Sequence, residues 1–181
     1  MGLGCETRAL APRARGSLKR LKVERIDLYQ LHAPDDNVPF ADSVGTLAEL
    51  QRAGKIRHVG ISNVSVKQLE QARRICPIVS VQNEYNIEDR SAESVLKACE
   101  KAAIAFLPWY PLGAGKALRS SGVKKIAARL AATPAQVAIA WLLAKSPVML
   151  PIPGTASLAH LEENAAAARI QLSREDLAAL A

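Results

Sequence analysis

Five apolar, β-branched segments of this sequence each end in residues able to hydrogen-bond, to stack, or to let a ligand approach closely. "IDLYQLH" (26–32) stops at His32, and "IRHVGISN" (56–63) ends in Ser62 and Asn63. "PIVSVQNEY" (77–85) carries Gln82 and Asn83, "IAFLPWYPLG" (104–113) offers Trp109 and Gly113, and "VMLPIPGT" (148–155) closes on Gly154 and Thr155. A single histidine at the end of a strand is more often structural than functional. Five strand ends of the same character place His32 on a shared, ligand-facing rim.

The remaining reactive side chains narrow the chemistry. Cys5, Cys76 and Cys99 are odd in number and unpaired in spacing, so neither structural zinc nor a disulfide framework is expected, and a reducing cytoplasm fits best. The three histidines, His32, His58 and His160, show no metal-ligand spacing either. No apolar run is long enough to span a bilayer. The net charge of +7 is concentrated at the start, since residues 1–25 hold 7 Lys and Arg against 2 Glu. No aromatic residue lies there to stack on a base, so a nucleic-acid partner is not expected. Residues 1–16 read as an irregular basic leader, because Pro12 and Gly16 interrupt any amphipathic helix.

The rim requires elements that bring strand ends together. The five segments are near-continuous in apolar character, as strands covered on both faces are. Helical patterns alternate with them. "DSVGTLAELQRAGK" spaces Val44, Leu47 and Leu50 for one helical face and stops at Gly54. Ser65 with Gln68 and Thr133 with Gln136 stand in capping-box register, the second pair around Pro134 at the first helical position. Ser157 and Ser173 open two further helices. The β-α alternation predicts an α/β fold with a parallel sheet. No G-x-G-x-x-G follows a strand, which disfavours the dinucleotide-binding doubly wound sheet. In a (β/α)8 barrel, by contrast, functional groups gather at the C-terminal ends of the strands.

From about Ser17 onward the chain resembles the C-terminal portion of the aldo-keto reductases. "ERIDLYQLHAPD", "GKIRHVGISN", "VQNEYN", "PWYPLG" and "PIPGT" followed by "LEEN" occur in that family's order. The resemblance implies an incomplete (β/α)8 TIM barrel with about five parallel strands, the family's strands four to eight, over residues 17–181. It also implies an NADPH cofactor, with NADH as the second candidate, and carbonyl reduction by hydride transfer. By position, His32 resembles the active-site histidine that orients the substrate carbonyl. Ser62, Asn63 and Gln82 resemble the residues that hold the nicotinamide carboxamide, and Trp109 the ring that stacks on the nicotinamide. Leu112 and Gly113 fall along the pyrophosphate. Gly154, Thr155 and His160 fall near the adenosine 2′-phosphate, and Glu163 and Asn164 near adenine. The same residues have plainer readings: Ser62 and Asn63 as caps of the following helix, Trp109 as core, Glu163 as a solvated helix residue.

Departures from the family accompany the matches. Its catalytic tyrosine, lysine and aspartate precede the matched region, and residues 1–16 contain none of the three. Tyr85 and Tyr110 lie near the correct face without an evident lysine partner. The expectation is therefore a truncated reductase, inactive alone, that acts on a small carbonyl compound if completed. The alternative is a non-catalytic nucleotide-binding or subunit-interaction fragment. Five strands cannot close a barrel, so the first and last would present apolar edges open to self-association.

Overall fold

The β-branched runs form the strands expected of them. In the computed structural model, which describes residues 7–180, β1 (Ile26–Leu31), β2 (Ile56–Ser62) and β3 (Ile78–Glu84) pair in parallel in that order. The register sets Gln30 beside Gly60, Gly60 beside Ser80, and Ser62 beside Gln82. Among the described residues β1 stands first in the strand order, and its Asp27 and Leu28 are exposed.

The chain divides into two compact units, Met1–Gln82 and Asn83–Ala181, where the sequence suggests one continuous domain from residue 17. In the first unit, helix α1 (Thr7–Leu21) packs against α2 (Phe40–Arg52). α1 corrects the expected irregular leader over residues 7–16; residues 1–6 of that leader lie outside the described residues. Pro12 sits inside this helix. It removes one backbone donor, but Ala14 is fully buried and Leu10 and Leu18 are half-buried. Tertiary packing thus decides what local propensity disfavours. α2 buries Val44, Leu47 and Leu50 as their spacing predicts. Gly54 follows it with a left-handed φ of 69° that reverses the chain into β2. α3 (Val66–Arg73) begins with the complete Ser65–Gln68 capping box.

The second unit contains α4 (Glu93–Lys101), β4 (Ala105–Trp109), α5 (Ser121–Arg129), α6 (Pro134–Lys145), α7 (Leu158–Ala166) and α8 (Arg174–Ala179). α6 buries every residue from Val137 to Leu142, the behaviour of a helix that is apolar all round. At its centre Trp141 stacks on Tyr85, with ring centres 5.9 Å apart, and Phe106 meets Tyr85 edge-on at 6.0 Å. α8 is anchored by two arginines. Arg129 donates to the Asp176 carboxylate and Arg90 to the Leu180 carbonyl.

The fifth expected strand is reduced to a single bridge. Phe106 N–H donates to the Val148 carbonyl and Leu150 N–H to the Phe106 carbonyl, each at 2.8 Å, around the pair Phe106–Met149. The next bond of this ladder would run from residue 108 to the Leu150 carbonyl, and Pro108 of β4 has no N–H to give. Leu150 and Ile152 remain exposed beyond it. The α/β class and parallel pairing are as expected, with four strands among the described residues in place of about five.

Candidate cofactor and carbonyl site

His32 follows the last residue of β1 directly and is exposed. Its backbone carbonyl accepts from Asn63 Nδ2 at 2.9 Å. Asn63, just past β2, adopts a left-handed φ of 57°, which asparagine tolerates better than most residues. That turn lets one side chain reach two neighbours, because Nδ2 also lies 3.2 Å from Ser62 Oγ. The third strand end joins through the Gln82 carbonyl, which accepts from Ser62 Oγ at 2.6 Å and from Asn63 N–H at 3.0 Å. His32, Ser62, Asn63 and Gln82 therefore form one hydrogen-bonded rim in the first unit. Helix capping does not explain Ser62 and Asn63, since Ser65 performs it.

Six of the other predicted residues meet in the second unit. Leu112, Gly154, Thr155, His160, Glu163 and Asn164 line a cavity of about 290 Å³. Its remaining wall includes Thr133, Pro134 and Ala135 at the start of α6, which sequence reasoning recognised only as a helix start. The Thr133–Pro134 pair was the available signal, since a capped helix opening has backbone N–H groups to direct at a neighbour. Glu163 is not a free solvated residue. Its carboxylate accepts from Thr133 Oγ1, and its backbone carbonyl accepts from Gln136 Nε2 at 3.1 Å. These bonds fasten α7 to the cap of α6. No lysine or arginine lines the cavity, so His160 is the one lining side chain able to carry positive charge.

Trp109 ends β4 half-buried, its ring 5.0 Å from that of Tyr110 in edge-to-face contact. It is not a plain core residue; Trp141 occupies that role. Gly113 follows with a left-handed φ of 56°, and a Cβ there would come within 3.3 Å of Asn86 Oδ1. Gly113 is absent from the cavity wall.

The tyrosines separate clearly. Tyr85 is fully buried and its hydroxyl donates to the Glu93 carboxylate. Burial, then this hydrogen bond, raises its pKa well above the ordinary phenol value. A hydroxyl so held is no proton donor to a ligand. Among the described residues no three His, Cys, Asp or Glu side chains are grouped to hold a metal. No single helix among them is long and apolar enough to cross a membrane.

Comparison with known proteins identifies the family. The model of the "Aldo/keto reductase family" matches residues 4–181, a range that starts ahead of Ser17. An uncharacterised oxidoreductase of Schizosaccharomyces pombe is 48% identical over 166 residues, covering 91% of this chain and 54% of its own length. Pyridoxine 4-dehydrogenase of Escherichia coli is 44% identical over 171 residues, covering 91% of this chain and 59% of the relative. Among solved structures, an aldo-keto reductase from Klebsiella pneumoniae in complex with NADP and acetate superposes with a TM-score of 0.86 at 31% identity, covering 95% of this chain and 63% of that one. A thermostable aldo-keto reductase in complex with the inhibitor epalrestat gives a TM-score of 0.87 at 36% identity, covering 94% and 64%. The chain belongs to the aldo/keto reductase family. It spans little more than half the length of the curated relatives named here.

Proposed function

We propose that this chain carries the cofactor-binding and carbonyl-orienting part of an NADPH-dependent reductase built on the (β/α)8 barrel. The observation that carries the reading is the cavity, which gathers six of the eleven residues assigned to the cofactor on sequence grounds. Its volume of about 290 Å³ lies at the low end for ligand pockets. That space suits the adenosine end of a dinucleotide rather than the whole molecule. Glu163 and Asn164 offer the groups for adenine, and Thr155 and His160 those for the ribose and its 2′-phosphate. Trp109, being half-buried, has indole surface available for a flat ring.

NADPH, when bound, would supply the hydride for reduction of a small aldehyde or ketone. His32 would orient the carbonyl by hydrogen bonding to its oxygen, while Ser62, Asn63 and Gln82 would fix the carboxamide. The two bonds accepted by the Gln82 carbonyl keep that side chain's strand end in place.

A second reading, nucleotide binding without turnover, is favoured by one specific feature. Tyr85 is committed to Glu93 and buried, so it cannot protonate the alkoxide that hydride transfer would leave. Titration with NADPH, followed by quenching of tryptophan fluorescence, tests the shared part of both readings. Saturable quenching that weakens in Trp109→Phe is expected; its absence from folded protein would remove both. Loss of reduced-nicotinamide absorbance on adding an aldehyde then separates reductase from binding module.

A further inference from the structure

Asn86 lies in the loop after β3 and is only 1% exposed. Its Oδ1 accepts from the backbone N–H groups of Glu88 at 2.8 Å and Asp89 at 2.9 Å. Its Nδ2 donates to the Tyr110 carbonyl at 3.1 Å, and Gly113 N–H donates to the same carbonyl at 2.8 Å. Tyr110 itself adopts φ 50° and is 58% exposed. A bulky residue held left-handed with its ring toward water needs something to hold it there. Within this turn Ala114 has φ 49° as well, and Gly113 φ 56°. The turn from Trp109 to Gly115 therefore contains strained backbone, held by the buried Asn86 amide and by the Tyr85 backbone N–H, which donates to the Trp109 carbonyl at 3.4 Å.

We propose that Asn86 is a positioning residue for Trp109: through the Tyr110 carbonyl it fixes the Trp109–Gly113 turn, and so the plane in which the indole is presented. The role toward a ligand rests on the cofactor reading above, whereas the tether itself does not. Asparagine suits the position because both ends of its amide are used. Oδ1 closes the local turn, and Nδ2 crosses to the facing loop. Gly113 suits its own position because a Cβ there would press on Asn86 at 3.3 Å and carry a positive φ besides.

Asn86→Asp isolates the crossing bond. The introduced carboxylate still accepts from Glu88 and Asp89 but faces the Tyr110 carbonyl with no proton. Titratable and charged groups around it include Tyr85 with its partner Glu93, Glu88, Asp89 and Arg90 on its own loop, and Tyr110 on the facing turn. Acidification restores a donor by protonating the carboxyl. The chain labelled with 5-fluorotryptophan provides two fluorine resonances, Trp109 and Trp141, assigned through Trp109→Phe. The expected result is a displaced Trp109 resonance with Trp141 unchanged, reverting toward the wild-type position as the pH is lowered. NADPH binding should weaken roughly tenfold at neutral pH. Unchanged resonances, or displacement of both together, would overturn the tether. Should Asn86→Asp fail to fold, Gly113→Ala disturbs the same contact from the other side, and the same two outcomes decide. If wild-type protein binds no NADPH while the Trp109 resonance still moves, the cofactor reading falls and the tether stands. If NADPH binds and the resonance is unmoved, the reverse holds.

Discussion

The Gln30 side chain donates from Nε2 to Ser80 Oγ at 2.9 Å, and it does so across Gly60 of the intervening strand. Side chains two apart along a strand share a face. Gly60 and Ser80 therefore share a face with Ser62 and Gln82, two residues further along each strand, and Gln30 stands two residues before His32. The bond is a tie under the rim that fixes the register of the strands carrying it.

Gly60→Ala should break this tie. The added Cβ would stand 2.3 Å from Ser80 Oγ and 2.7 Å from Gln30 Cγ, and neither atom can retreat without losing the hydrogen bond. A loss of about 1–3 kcal/mol is expected from overpacking, read from the urea midpoint. Pairing the change with Ser80→Ala removes the closer clash. The double variant should recover part of that loss; if it is no more stable than Gly60→Ala alone, the contact with Ser80 is not the cause.

Alkaline pH should weaken the second unit through Tyr85. Burial, then its bond to Glu93, raises the phenol pKa in the folded chain above the unfolded value of roughly 10. The protonated form is thus favoured by folding, and its contribution is complete below that value. It is lost as the pH rises from there toward the folded pKa. Tyr85→Phe should flatten the decline in stability above about pH 10 while leaving the Trp141 stack in place. Denaturant melts across that range check it. An unchanged slope would mean that another group governs alkaline unfolding.

What could be read from the sequence was what local chemistry determines. The capping pairs at Ser65 and Thr133 formed as their spacing indicated, because a cap depends on a few adjacent residues. The strand ends at His32, Ser62 and Trp109 were equally plain, since a β-branched run announces its own limits. Helix α1 was not legible, because Pro12 argues against a helix and only the burial of Ala14 reverses that. The last strand was over-read for the opposite reason: "VMLPIPGT" has strand composition, but Pro108 of the facing strand lacks the N–H that would carry the ladder past Met149. The bond from Thr133 to Glu163 joins residues 30 positions apart. No periodicity encodes it, which is why the α6 wall of the cavity was missed.

Acid should act through Asp176. Its carboxylate is held below the usual range, chiefly by the hydrogen bond from Arg129 and then by the Ser173 backbone. A lowered folded pKa contributes stability above the unfolded value of about 3.9, and that contribution is lost as the pH falls through the folded pKa. Asp176→Ala also removes the capping partner of α8. It should cost about 1–2 kcal/mol at neutral pH. The difference from wild type should narrow below about pH 4, which urea titrations at three pH values would show. A gap that stays constant into acid would assign the whole effect to lost packing.

Cofactor choice should turn on His160. The cavity wall offers this imidazole and the Gly154 backbone where two fixed cations would grip a phosphate firmly, and Glu163 adds a carboxylate nearby. An exposed guanidinium is always charged and binds phosphate through two donors at once. His160→Arg should therefore tighten NADPH by about three- to tenfold and leave NADH nearly unchanged, since a gain of about 1 kcal/mol is typical of one exposed ionic contact. His160 is exposed, and its known hydrogen bond is made by its backbone N–H to Ser157 Oγ. The substitution consequently leaves the α7 cap intact. Parallel titrations with the two cofactors at neutral pH measure the ratio directly. Equal tightening of both would place the guanidinium on the pyrophosphate instead, and no tightening of either would put the 2′-phosphate outside this cavity.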